Sequence, residues 1–557
     1  MIAYIKQLKA TKQIIALVLA LCMIFALSAC KDDTGKTPAG NSSVGSSLSD
    51  NNSSSGDSQA DDSADVQDNS SEQSAGNNVI GQVYNVTESI NPARSDYYEK
   101  KTDEKEANLY APLKGYKDAE AEAMKEKILN TKNTEEYYGE KMTGTKYYIS
   151  PGGNDENDGK SPETPFRTTD ALSNLDLKAG DSVLFERNSI FRITSQINVR
   201  EGVIYGSYGE GTKPQIYGAP YNFAGGDYWE PTKVKNVWKA TYLYEEISCV
   251  IYDHGKLVGN LRWDPVKLRE NGDFYNAESD DSVYIYCDKG NPSKVFESIE
   301  ISPARFVFKA SNVNNYVIDN ICIKYAGAFG VSSYGSNKNV YITNCEMAYI
   351  GGFSRNKSLR LGNAIEFGSG ADNFIVENNW IYQTFDTAIT WQGGAKSYKN
   401  MSFSNNLLEY NVCDIEFFSS GGCVVSNFKM DGNIMRFTSG GWGNRPNDAG
   451  ARGIEGLLRG TTNGLIISDF IFTNNIIDCP VSMFFNWFNT YEQKSAFKCS
   501  GNSYYVKQSY RTTTTVLKDY IVAETDRQGA AYKATNADET KTVLSYIDPT
   551  AKLYWYE

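Results

Sequence analysis

A single histidine, His254, in 557 residues removes most of the familiar hydrolytic chemistries. Ser-His-Asp triads and multi-histidine metal sites have at most one possible anchor. His254 lies in "IYDHGKLVGN", a turn between two strand-like runs, where a solvated loop residue is expected. The ten cysteines contain no CxxC pair. Neither a zinc site nor a disulfide framework is indicated, and the cysteines after Cys30 read as buried apolar thiols. Basic charge is also in deficit: 55 Lys and Arg face 68 Asp and Glu, a net charge of −13. That balance argues against nucleic acid as a partner and against adhesion to anionic lipid. Any catalysis falls to carboxylates, Lys, Arg or Tyr.

Long apolar runs are missing except near the start. Lys6, Lys9 and Lys12 precede an apolar stretch over 14–25 that is too short to span a bilayer and has the layout of a secretory signal. It ends in Leu27-Ser28-Ala29-Cys30, which resembles a bacterial lipobox. The resemblance implies cleavage before Cys30, lipidation of Cys30, and a protein held at the extracellular face of the cell membrane by its lipid alone. Residues 31–78 are Ser, Asn, Asp and Gly with almost no aliphatic bulk, so they cannot offset the entropy of ordering and read as a flexible acidic tether. Residues 79–144 begin extended ("NVIGQVYNV") and pass into "DAEAEAMKEKILN", a helix with a solvated polar face. The chain beyond the tether exceeds the usual size of a single core, which predicts several domains or an elongated repeat.

The repeat is visible. "VNNYVIDNICIKY", "NKNVYITNCEMAY", "ADNFIVENNWIYQ", "YKNMSFSNNLLEY", "VSNFKMDGNIMRF" and "ISDFIFTNNIIDC" align on Asn320, Asn344, Asn379, Asn406, Asn433 and Asn475, with Asn502 as the last member. Three of the gaps are 27 residues, one is 24, and two are longer at 35 and 42. Alternating apolar residues, a polar corner and renewed alternation describe one coil of an all-β parallel solenoid. Asn suits the corner because it tolerates the left-handed conformation and can bond the next rung. The long gaps place insertions at 351–362 and 439–452, which project as loops. Coils over 309–502 form the main solenoid, and 503–557 cover its C-terminal end. Residues 240–308 break the pattern: "VIYDHGKLVGNLRW" and "GDFYNAESDDSVYIYCD" read as antiparallel hairpins of a small inserted subdomain.

Upstream of it, 145–239 opens the solenoid. Its first part, "TKYYISPGGNDENDGKSPETPFRTTDALSNLDLKAGDSVLFER" (145–187), resembles the N-terminal part of secreted right-handed parallel β-helix proteins of the pectate lyase-like superfamily. The resemblance implies a right-handed parallel β-helix, a helix capping its open end, and work on extracellular polysaccharide by hydrolases or lyases. The polygalacturonase set (an Asn-Thr-Asp, an Asp-Asp pair, a Gly-His-Gly and an Arg-Ile-Lys) is absent, as is the Trp-Ile-Asp-His element of calcium pectate lyases. No catalytic residue is carried over by motif.

Candidate residues come from a column. Aligning "AIEF" (364–367), "AITW" (388–391), "DIEF" (414–417) and "GIEG" (453–456) puts Ile365, Ile389, Ile415 and Ile454 in register. If those point inward, Glu366, Thr390, Glu416 and Glu455 point outward. Asp414 shares that face, and so does Asp386 if its strand extends far enough. Rungs about 4.8 Å apart put Glu416 and Glu455 one step apart, and Glu366 and Glu416 two. Like charges so stacked raise at least one pKa, as a glycosidase acid and base require. The one-rung pair suits a retaining reaction and the two-rung pair an inverting one. Trp391, Trp442 and Trp487, with Arg445 and Arg452, are candidate sugar contacts. The competing reading makes the carboxylates ordinary polar-face residues paired with Arg452, Arg459 or Lys396. Three functions follow as expectations: a cofactor-free glycoside hydrolase, a polysaccharide lyase using Ca²⁺ with Arg452 as the nearest base, or a non-catalytic glycan-binding surface protein. Each is a monomer whose partner is a glycan.

Overall fold

The computed structural model describes residues 113–507 except 225, 243–245, 278–279, 336, 356–358, 394–396, 420–422, 445–455, 461–465, 480–482 and 488–496, and then 538, 541, 544–545 and 548–556. Cys30, the tether, Arg445, Arg452, Glu455 and the side chain of Trp487 lie outside this set. The chain is a right-handed parallel β-helix. One coil runs through Ala371–Glu377, Trp380–Thr384 and Thr387–Gly393 before Ser397–Ser404 begins the next. Stacked coils give three parallel sheets of ten, ten and eight strands, here the first, second and third sheet.

Inward residues stack on their own kind from rung to rung. Phe374, Met401, Phe428 and Phe470 occupy one register column. Phe428 and Phe470 lie parallel, with ring centroids 4.8 Å apart. That is the rung spacing itself, so offset stacking is built into the repeat. The eight cysteines after Cys30 are free thiols, all but Cys499 buried.

The corner asparagines divide into two columns rather than the single one expected. Asn320, Asn344, Asn378, Asn405 and Asn474 hold the left-handed turn, joined by Gly432 and Gly501 at the equivalent positions. The next residue in each of the later coils forms a buried amide ladder: Asn379 donates to Asn406 (3.0 Å), Asn406 to Asn433 (3.0 Å), Asn433 to Asn475 (2.9 Å) and Asn475 to Asn502 (3.1 Å). Asn320 and Asn344 belong to the turn column, and their successors Ile321 and Cys345 take the ladder positions. A further left-handed column, Asn315, Asn339, Asn373, Asn400, Asn427 and Asp469, bends the first sheet and escaped the pattern reading.

Two additions decorate the solenoid. Strands from Glu230–Pro231 to Ile299–Pro303, antiparallel except where Asn260–Leu261 pairs in parallel with Asp273–Ala277, form a five-stranded and a three-stranded sheet around Trp229, Phe274 and Ile285. A bidentate pair between Arg192 and buried Glu300 ties this subdomain down, with Nη2 to Oε1 at 2.8 Å. The second addition is the N-terminal segment, which straps the outside. Tyr116 stacks on Tyr505 near the last coil (4.9 Å). The helix Asp118–Leu129 then buries Ala121 and Ile128 against Leu407 and Ile434. Thr131 reaches Asn320 (3.1 Å) near the first coils. The expected capping helix is a short 3₁₀ turn, Thr169–Asn174, which packs Ala171 onto the core. Among the described residues no helix is long and apolar enough to cross a membrane.

Candidate active site

The third sheet carries the carboxylates. Its strands Val331–Tyr334, Ile365–Gly368, Thr387–Gly393, Cys413–Ser419 and Gly456–Gly460 are consecutive neighbours. Val331, Ile365, Ile389, Ile415 and Leu458 share one register column, and the core takes the first four side chains. The adjoining column reads Ser332, Glu366, Thr390, Glu416 and Arg459. Glu366 and Glu416 therefore stand two rungs apart, as expected. The residue one rung beyond Glu416 is Arg459, however, not Glu455. The insertion before this strand shifts the register by four residues, which moves Leu458 into the column assigned to Ile454.

Three further expectations are corrected. Trp391 is two residues along from Ile389 and so faces inward, fully buried and stacked 4.1 Å from Phe417; it is core and cannot meet a sugar. Trp442 is 3 % exposed, its indole N–H donating to the Gln383 carbonyl (2.8 Å) and its ring against Phe385. It anchors the second insertion and offers no open stacking face. Asp414 stands level with Ala364 and Ala388, which belong to the core. Asp414 is fully buried, accepting from Asn411 Nδ2 (3.1 Å) and Thr438 Oγ1 (2.5 Å). Alternation measured back from Glu416 fails there because the strand is entering its corner.

Glu366 and Glu416 leave the core side, yet each is only 1 % exposed. Around Glu366 the partners are explicit. Tyr334 Oη bonds Oε1, and Asn363 Nδ2 donates to Oε2 at 2.5 Å. Thr390 donates to Glu416 Oε2 at 3.2 Å, with Thr387 at 3.5 Å. Asp386 sits just before the strand Thr387–Gly393, at the corner, 3 % exposed. The two insertions meet beside it. The hairpin Phe353–Arg355/Leu359–Leu361 sends Arg360 over the Phe385 ring (3.6 Å), and its guanidinium donates to the carbonyls of Phe385 (2.6 Å) and Gly443. Gly362 lets the returning chain pass close: a Cβ there would sit 2.6 Å from Phe385 Cβ. Arg360 and Gly362 escaped the sequence reading, since nothing in their spacing marks them.

Burial pushes the Glu366 carboxyl up to about 7; the bonds from Tyr334 and Asn363 oppose that, and repulsion from Glu416 and Asp386 adds to it. Asp414 also rises to about 7, through burial first. Among the described residues no group of three or more His, Cys, Asp or Glu is placed to hold a metal ion. His254 is exposed in its turn.

No family model matches the chain, and no curated protein matches its sequence. Among solved structures, XylC with xylose aligns at 12% identity over 65% of this chain and 69% of its own, TM-score 0.37. The GH136 lacto-N-biosidase from Eubacterium ramulus aligns at 15% identity and TM-score 0.34, over 66% of this chain, which spans 57% of the enzyme. A rhamnogalacturonan lyase aligns at 9% identity over 74% of this chain and 87% of its own, TM-score 0.34.

Proposed function

We propose that the chain is a glycoside hydrolase of extracellular polysaccharide, with Glu366 as general acid and Glu416 as general base, held at the cell surface through lipidated Cys30. The observation that carries this reading is the Glu366–Thr390–Glu416 stack. It holds two buried, hydrogen-bonded carboxylates two rungs apart, and burial raises one of them, Glu366, to about 7, so that it still carries a proton part of the time near neutral pH. A polar-face salt-bridge ladder has no use for such a pair, whereas glycoside hydrolysis needs an acid beside a base.

The register narrows the stereochemistry. With Arg459 beyond Glu416, the one-rung carboxylate pair is gone. Two rungs, about 9–10 Å along the sheet, leave room for a water between base and sugar, which is the inverting arrangement. Glu366 is the source of the proton that reaches the departing glycosidic oxygen. Glu416, oriented by the Thr390 hydroxyl, takes a proton from water attacking the opposite face. Burial is the main reason Glu366 holds its proton, and repulsion from Glu416 and then Asp386 adds to it, so loss of Asp386 lowers the Glu366 midpoint slightly and trims the active range on the alkaline side.

The test is a panel of plant and host glycans assayed for new reducing ends, with and without chelator. Hydrolysis by the unaltered protein, insensitive to chelator and reduced at least about 100-fold in Glu366→Gln and Glu416→Gln, supports the assignment. Chelator-sensitive products with unsaturated ends absorbing in the ultraviolet would mean a lyase. Binding without turnover would mean a glycan-binding protein.

A further inference from the structure

A general acid that is 1 % exposed cannot itself touch a glycosidic oxygen, so the exit of its proton has to be found. The hydrogen bonds around Glu366 fix where that proton sits. Asn363 Oδ1 accepts the backbone N–H of Thr387 (3.0 Å), and a backbone N–H can only donate. The amide orientation is thereby set, and Nδ2, itself only a donor, points at Glu366 Oε2 (2.5 Å). Oε2 accepts in either protonation state, which leaves Oε1 to carry the proton of the neutral acid. Oε1 meets Tyr334 Oη. A hydroxyl both donates and accepts: it accepts from the protonated acid and donates to the carboxylate. Tyr334 is half-buried where Glu366 is buried. Its ring lies across Gly368 one rung on, where a Cβ would come within 2.9 Å of Cε1 and 3.1 Å of Cδ1.

We infer that Tyr334 is the relay through which Glu366 delivers its proton to the leaving group, an inference that rests on the hydrolase reading above. In the step, the Tyr334 hydroxyl proton passes to the glycosidic oxygen while the Glu366 Oε1 proton passes to Oη. Tyr334 ends neutral and Glu366 ends as carboxylate. The electron pair of the breaking sugar C–O bond goes to the leaving oxygen; the attacking water forms the new C–O bond and gives its proton to Glu416. Exchange with solvent returns the carboxyls to their starting states. Gly368 is the positioning residue, since any side chain there displaces the Tyr334 ring.

The charged and titratable groups facing Glu366 are Glu416 along the sheet, Asp386 at the corner and the Tyr398 hydroxyl from the first sheet. In the other direction Lys309 is two rungs away, its ammonium 5.6 Å from the Phe306 ring centre. Arg459 holds the register position beyond Glu416.

The experiment uses the full chain with Tyr334→Phe and Gly368→Ala. First, the protonated carboxyl band of Glu366, identified by its loss in Glu366→Gln, is titrated by infrared difference spectroscopy. Losing the bond to the carboxylate should move the midpoint up by about one pH unit in both variants. Second, turnover is compared on the glycan cleaved by the unaltered protein and on the matching aryl glycoside, whose phenolate leaves without protonation. Tyr334→Phe should lose about 100-fold or more on the glycan and little on the aryl glycoside. An unmoved midpoint in both variants overturns the contact, whatever the activity. A moved midpoint with both substrates unaffected, or slowed equally, overturns the relay and leaves the hydrolase standing. No turnover of any glycan by the unaltered protein overturns the hydrolase and the relay with it.

Discussion

Asp414 and Glu366 are the two carboxyls of the third sheet that burial drives to about 7, and they differ in what surrounds them. Asp414 is enclosed by Asn411 and Thr438 and takes no part in the proposed chemistry. Its folded pKa lies above the ordinary 3.8, so the native state binds the proton more tightly than the unfolded chain does. The stability linked to that proton is fully present below about pH 4 and is lost as pH rises through 7, roughly 4 kcal/mol in order of magnitude. Asp414→Asn has the shape of the protonated acid and cannot ionise. Thermal melts from pH 4 to 8.5 should therefore fall less steeply for this variant than for the unaltered protein, and the variant should be the more stable of the two at pH 8.5. Parallel curves would mean that Asp414 is ionised throughout. The sequence placed this residue in the right strand but on the wrong side. Alternation carries side-chain direction only while the backbone stays regularly extended, and Asp414 is only the second residue of its strand, next to the corner. Trp391 is the opposite case, because the alternation that faces Glu366 away from the core already turns Trp391 into it.

For the elements, period and insertions were legible and register was not. Repeated apolar pairs every 24–27 residues forced a parallel coil, and the long gaps marked the insertions. Within a gap of 42 residues, Ile454 and Leu458 are equally apolar and four apart, so the pattern alone cannot choose between them. Hydrogen bonding to Cys413–Ser419 makes the choice, pairing Ile415 with Leu458. The corner was ambiguous for a related reason. Asn378-Asn379, Asn405-Asn406 and Asn474-Asn475 are doublets, and composition does not say which member turns and which bonds. The two roles separate under substitution. Asn405 turns, with φ 55°, and Gly432 does the same one coil on, so Asn405→Gly should cost little, about 1 kcal/mol or less. Asn406 accepts from the N–H and the amide of Asn379, and donates to the Val376 carbonyl (2.9 Å) and to Asn433. Asn406→Gly strands those buried partners and should cost about 3 kcal/mol or more. Urea unfolding of the two variants checks this; equal losses would contradict the division of labour.

The described coils are held from outside by residues 113–131, which contribute no strand to them. The sequence marked Asp118–Leu129 as helical, but its address on the second sheet depends on partners some three hundred residues away, which no local pattern can supply. Those partners centre on Arg436, 5 % exposed, whose guanidinium pairs with Asp118 of the strap and with Glu409 (3.3 Å) and Asp478 (3.4 Å) of the neighbouring rungs. Asp478 in turn accepts the backbone N–H groups of Tyr116 (2.9 Å) and Lys117 (3.0 Å). One buried cation thus joins three rungs to the strap. Arg436→Met keeps much of the volume and removes the charge, leaving Glu409 and Asp478 buried without it. Breaking one side of a buried ion cluster costs about 3–5 kcal/mol. The loss should be local first: hydrogen exchange across 113–130 should speed up, and a protease should cut there, under conditions where the asparagine ladder stays protected. Apolar surface at Leu407, Ile434 and Trp380 would then be uncovered. If exchange instead accelerates equally in the strap and the coils, the strap is a cooperative part of the solenoid rather than a separable clasp.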